Sequence, residues 1–116
     1  STAPDGEGLR AARSGAALDH IAAHFTDPGY TIAACAGHLG VSVRYLQIIL
    51  EASGIKFGDE LRRLRLERAR ALLSDPASAG HRITDIAMES GFSDISHFNR
   101  LFRAQFGDTP TGFRGH

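Results

Sequence analysis

The chain has one cysteine (Cys35), no tryptophan and four prolines in 116 residues, and its 13 Lys and Arg are balanced by 13 Asp and Glu. Each shortage excludes something. A lone cysteine cannot close an internal disulfide, so the fold must rest on apolar burial, as in a reducing compartment. There is no apolar run of about 18 residues, the length a membrane-spanning helix needs, so no membrane partner is expected. The opening "STAPDGEGLRAARSG" lacks the apolar core of a signal peptide. Its Pro, Gly and Ser give it the composition of a flexible linker stub over residues 1–15, with ordered structure expected from about Ala16. No Gly-rich phosphate loop, nucleophile elbow or pair of carboxylates in a cleft is evident, so no catalytic residue, enzyme activity or cofactor is expected.

Zero net charge counts against a nucleic-acid binder, which is expected to be basic. The charge is unevenly spread, however. Residues 1–41 hold two Arg against four acids, residues 42–74 seven Lys and Arg against four, and residues 75–116 four against five. Only the middle third is basic.

What the sequence does have is helical periodicity, with no convincing strand-like alternation. "AALDHIAAHF" aligns Leu18, Ile21, Ala22 and Phe25 in a stripe that ends before Pro28. "TIAACAGHL" follows, with Thr31 as a candidate N-cap and Gly40 as its end. "SVRYLQIILEAS" puts Leu46, Ile49 and Leu50 on one side. "FGDELRRLRLERARALLS" is the longest segment, with Leu61, Leu66, Ala69, Leu72 and Leu73 as core, and Pro76 stops it. "ITDIAMES" and "SDISHFNRLFRAQF" repeat the short-then-longer pattern, and "GDTP" leads into the tail "TGFRGH". The fold class read from this is all-α with about seven helices.

A shift of 51 residues superimposes two of the helical pairs: Ile32 on Ile83, Ala36 on Ala87, Gly40 on Gly91 and Ser42 on Ser93. These positions share a mechanical logic. The small residue lets a second helix cross closely, and the glycine ends the first helix in a left-handed conformation. Val41 or Phe92 plugs the corner, and the serine caps the next helix. This is the wiring of a helix-turn-helix. Beyond the serine the register slips to 52, so Leu46, Ile49 and Leu50 match Phe98, Leu101 and Phe102 on the buried side. The outward faces then pair Arg44 with Ser96, Gln47 with Asn99, Ile48 with Arg100 and Glu51 with Arg103. Such side chains suit base edges and phosphates.

With "LGVSVRYLQ", "RLRLERARALL" and "ITDIAMESGFSDISHFNRLFRAQFGDTPTGFR" in view, residues 17 to 114 resemble the DNA-binding domain of the AraC/XylS family of bacterial transcription regulators. The last stretch carries that family's I-A pair, G-F-S, S-H-F, R-x-F, F-G, proline and F/Y-R in order. The resemblance implies a first helix-turn-helix subdomain over residues 16–56, a linker helix over 57–74 and a second subdomain over 75–116. Each second helix would enter one of two successive major grooves, about 34 Å apart on one face of the duplex. It implies base contacts from Arg44, Gln47 and Ile48 in the first reading helix, and from Ser96, Asn99 and Arg100 in the second. Ile48 departs from the family, where a basic residue is common at that position. Ser42, Ser93, His97 and Arg103 would meet phosphate, the serines alongside free N–H groups at the helix N-termini, with His97 equally suited to brace the turn by hydrogen bonding. Double-stranded DNA and RNA polymerase are the implied partners, for a monomeric fragment preceded by an effector-binding or dimerisation domain.

Two rival readings exist. His20 and His24 lie four apart, and "CAGH" adds Cys35 and His38, enough ligands on paper for zinc. The histidines fall on the polar side of their helix, though, and Cys35 aligns with Ile86, an apolar core position, so no metal site is expected. The other rival is a protein-interaction module with only non-specific affinity for DNA. That would leave the polar faces of both second helices without a purpose.

Overall fold

The computed structural model describes residues 5–115. All regular structure among them is helical: α1 (Asp5–His24), α2 (Ile32–Leu39), α3 (Val43–Ala52), α4 (Phe57–Ser74), α5 (Ile83–Glu89), α6 (Ile95–Phe106) and α7 (Pro110–Arg114), with a 3-10 turn at Pro76–Ser78. No single helix among the described residues is long and apolar enough to cross a membrane. The described residues divide into two compact units, one of those up to residue 24 together with 29–61, the other of residues 25–28 together with those from 62 onward.

In the first unit α1 packs against α2 and α3. The expected linker stub is corrected here: residues 5–15 continue α1, while residues 1–4 lie outside the described residues. A buried line that begins at Ser14, earlier than the apolar stripe, anchors the last of these residues, while residues 8–12 are exposed. Ser14, Ala17 and Ile21 are buried, whereas Ala22 is exposed and Leu18 and Phe25 are half-buried. Small residues allow the close approach. The Ser14 and Ser53 hydroxyls lie 3.2 Å apart, and Arg13 Nη1 donates to the Tyr45 hydroxyl at 3.3 Å with its guanidinium 5.4 Å from the ring centre. Serine hydrogen-bonded at a helix contact does not show as hydrophobic periodicity, so the sequence pattern misses this turn of helix. Cys35, Leu46, Ile49 and Leu50 complete the interior.

The second unit is built on phenylalanine. Leu66, Ala69 and Leu73 of α4 meet Ile86 and Ala87 of α5, Phe92 of the turn, and Phe98 and Phe102 of α6. Ring centres are 4.9 Å apart for Phe92 and Phe98, 5.6 Å for Phe98 and Phe102, and 5.6 Å for Phe102 and Phe113. Tilted or edge-on pairs like these add about 0.5–1.5 kcal/mol each beyond area burial. The tail is not irregular. Thr109 caps α7 by accepting from the Gly112 N–H at 3.0 Å. Arg114 donates to the His81 carbonyl at 2.6 Å and the Ser78 carbonyl at 3.2 Å, closing the end of the unit.

Candidate nucleic-acid interface

Each unit contains the same corner. After α2, Gly40 takes φ +71°, its N–H bonds to the Gly37 carbonyl and the Val41 N–H to the Ala36 carbonyl. After α5, Gly91 takes φ +106°, its N–H bonds to the Met88 carbonyl and the Phe92 N–H to the Ala87 carbonyl. This paired pattern closes a helix through a left-handed residue, and glycine alone occupies that conformation without a Cβ penalty. The small residues before the corners, Ala36 and Ala87, are both buried.

The caps that follow the corners are not the same residue type. Ser42 caps α3, its hydroxyl accepting from the Tyr45 N–H at 3.1 Å. In the second unit Ser93 does not cap, which corrects its expected role. Asp94 does, its Oδ1 accepting from the N–H groups of Ser96 at 2.9 Å and His97 at 3.2 Å. Positions 42 and 94 are 52 apart, so the one-residue slip in the repeat falls before the cap. The loop into α6 is longer by one residue, and a carboxylate is the stronger acceptor for N-terminal donors. These N–H groups are therefore already bonded, beside a negative charge, and are not free for phosphate.

From the caps onward the helices run in step. Leu46, Ile49, Leu50, Phe98 and Phe102 are buried at 1 % exposure or less, which orients both helices. The opposite faces are open: Arg44, Gln47, Ile48 and Glu51 on α3, and Ser96, Asn99, Arg100 and Arg103 on α6, are all exposed. Each set has the i, i+3, i+4, i+7 spacing of one helical face. Ser42, Ser93 and His97 are exposed as well. Ile48, at 51 %, and Ile95, at 36 %, are exposed aliphatic residues on these two helices. Gln47 and Glu51 also edge a cleft of about 310 Å³ with Leu50, Ile55, Lys56 and Phe57.

The arginines of α4 are not one surface. Arg70 Nε and Nη2 both reach Glu67 Oε2, at 3.1 and 3.0 Å. Arg65 instead turns inward, Nε donating to the Phe25 carbonyl at 2.8 Å and Nη2 to the Asp27 carbonyl at 2.9 Å. Burial shifts its ionisation downward, and the Asp27 charge acts in the opposite direction. Sequence periodicity gave no sign of these carbonyl partners, because a backbone acceptor in a distant loop leaves no mark in side-chain pattern.

His20, His24 and His38 form a stack. His20 lies between His24, at 4.1 Å between ring centres, and His38, at 4.2 Å. Near-parallel rings point their nitrogens along parallel planes rather than at one ion. His20 Nδ1 lies 2.6 Å from the Tyr30 hydroxyl and His24 Nδ1 2.9 Å from the His20 carbonyl oxygen. Cys35 is fully buried, its thiol 3.9 Å from the Ala17 carbonyl, and burial pushes its ionisation up. No group of three or more ligating side chains that could hold a metal occurs among the described residues.

Residues 35–116 match a family model described as a helix-turn-helix domain. The chain is 37 % identical over 98 residues to a probable thc operon regulatory protein of Rhodococcus erythropolis, covering 82 % of this chain and 29 % of that protein. It is 36 % identical over 89 residues to the transcriptional activator NphR of a Rhodococcus species, covering 76 % and 25 %. It is 39 % identical over 82 residues to the transcriptional activator RhaS of Escherichia coli, covering 70 % and 28 %. The chain thus spans under a third of the length of these relatives. Among solved structures, the C-terminal domain of AraT, a response regulator from Geobacillus stearothermophilus, superposes with a TM-score of 0.80 at 29 % identity, over 88 % of this chain and 83 % of that one. The C-terminal domain of the response regulator yesN from Fusobacterium nucleatum does so at 0.72 and 26 %, over 96 % and 99 %.

Proposed function

We propose, from the premise that this chain belongs to the AraC/XylS family of helix-turn-helix transcription regulators, that it reads a specific double-stranded DNA site with α3 and α6 in successive major grooves. DNA-binding transcription regulation is the family's business, and its relatives here are regulators rather than enzymes. The observation that carries the finer reading is the repetition of one device. Each unit has a glycine corner, a capped helix, and an open face at the same four positions.

In this reading Arg44 forks onto guanine and Gln47 pairs with adenine. Ile48 offers a methyl surface to thymine, and Ser96, Asn99 and Arg100 read the second groove. Arg103 and His97 meet phosphate, as do the Ser42 and Ser93 hydroxyls. Ser93 acts there from the loop, since Asp94 holds the helix N–H groups. The fragment acts as a monomer in the bacterial cytoplasm, at the nucleoid. RNA polymerase and a separate effector-binding or dimerisation domain are its proposed partners in the whole protein. Overall neutrality makes affinity modest and dependent on salt.

Selection of sites from randomised duplex DNA, followed by anisotropy titration of the winners at several salt concentrations, tests this. Two enriched patches about one helical turn apart support both reading helices. One patch alone assigns reading to α6, with α3 holding backbone. No enrichment, with binding that disappears as salt rises, overturns sequence reading in favour of a protein-interaction module.

A further inference from the structure

Gly91, at the corner before α6, has no room for a side chain. A Cβ built on it would lie 2.5 Å from the Phe25 carbonyl oxygen and 2.6 Å from Arg65 Nε, the two ends of one hydrogen bond. At Gly40, the matching corner of the first unit, nothing lies within 4 Å of such an atom. The corner before α6 is therefore seated on the Arg65 side chain and the carbonyl it holds, and the corner before α3 has no such seat.

We propose that Arg65 is a positioning residue for the second reading helix: its fork onto the Phe25 and Asp27 carbonyls forms the floor under Gly91 and fixes where α6 begins. This rests on the reading of α6 as a DNA-reading helix. Little slack separates the floor from the helix. Only residues 92–94 intervene, with Phe92 buried against Phe98 and Asp94 bonded to the first turn of α6. A shift at Gly91 therefore passes into α6, and a functional site must be held to about 0.5 Å. The role needs arginine. Two N–H groups at fixed spacing reach two carbonyls about 40 residues away in sequence, whereas a lysine ammonium is a single point on a flexible stem. Arg65 touches no base in this scheme, so its effect on recognition is indirect.

The test is Arg65→Lys, with Arg68→Lys as a control from the exposed side of the same helix. Both are checked for native helicity and a cooperative melt, and binding is measured at a temperature where both are folded. Two readouts are needed. The first is discrimination between the selected site and sites altered in either patch. Arg65→Lys is expected to lose about tenfold at the α6 patch, with the α3 patch and non-specific affinity unchanged. The second needs no DNA. Amide exchange at Gly91 and Phe92 should quicken in Arg65→Lys relative to the amides of Phe98 and Phe102, and not in Arg68→Lys. If Arg65→Lys fails to fold, Arg65→Gln, which keeps a planar N–H donor, takes its place in both assays. Unchanged exchange at Gly91 and Phe92 overturns the proposal, as does equal loss at both patches. Quickened exchange in a chain whose wild type selects no site overturns the DNA reading of α6 instead, and leaves Arg65 as the floor of the turn.

Discussion

His20 Nδ1 and the Tyr30 hydroxyl lie 2.6 Å apart, with the His20 ring held between those of His24 and His38. Burial lowers the His20 ionisation below its ordinary value of 6.5, and the charges of His24 and His38 lower it further. The Tyr30 hydroxyl, itself pushed up by burial and by Cys35, stays neutral beside it. In the unfolded chain His20 takes up a proton near 6.5, whereas in the folded chain it resists until a lower pH. The unfolded state thus binds more protons in that window, and stability falls as pH drops below about 6.5. Urea melts of the first unit at pH 7.5 and pH 5 should show a lower midpoint in acid, and His20→Gln should remove part of the difference. An equal midpoint at both values would mean that the stack opens without cost.

Gly40 and Gly91 both have positive φ, but only Gly91 is crowded. Gly40→Ala should cost only the left-handed strain, about 1–2 kcal/mol. Gly91→Ala adds overpacking against a backbone oxygen, for a total of about 3–4 kcal/mol. Gly91→Val, with a β-branched side chain, should leave the second unit unfolded or misaligned. Chemical denaturation checks the order, and equal losses at the two glycines would contradict the crowding.

Asp94→Ala removes the acceptor for two N–H groups of α6 and should destabilise the second unit by about 1 kcal/mol. Ser93→Ala should cost little, because Ser93 is exposed and outside the cap. The reverse order of losses in thermal melts would return the cap to Ser93.

Arg100→Ala should lower affinity and relax preference at one or two base pairs by about 1–3 kcal/mol. Arg103→Ala should weaken all sequences alike and flatten the salt dependence by about one phosphate contact. Anisotropy titrations across a panel of single-base variants and salt concentrations distinguish the two arginines, and a base-selective Arg103 effect would exchange their roles.

The helices α2 to α6, the two glycine corners and the open faces of α3 and α6 can be read from the sequence alone. All of these follow from local rules: spacing along one helix, turn chemistry at Gly40 and Gly91, and the 51-residue repeat. The interior was legible too, as Cys35 matching Ile86 shows, since both are fully buried. Packing was needed to reveal the start of α1, the short helix α7, the cap of α6 and the partners of Arg65. Ser14 is buried through a hydroxyl contact with Ser53, which no hydrophobic pattern signals. Ser93 and Asp94 are both good caps, and the geometry of the loop between Gly91 and α6 selects Asp94. Arg65 is one of five arginines between residues 62 and 70, and what sets it apart is a pair of backbone carbonyls some 40 positions away. Periodicity records which way a side chain faces, whereas hydrogen bonds to distant backbone depend on where the chain returns, and that is settled only by packing.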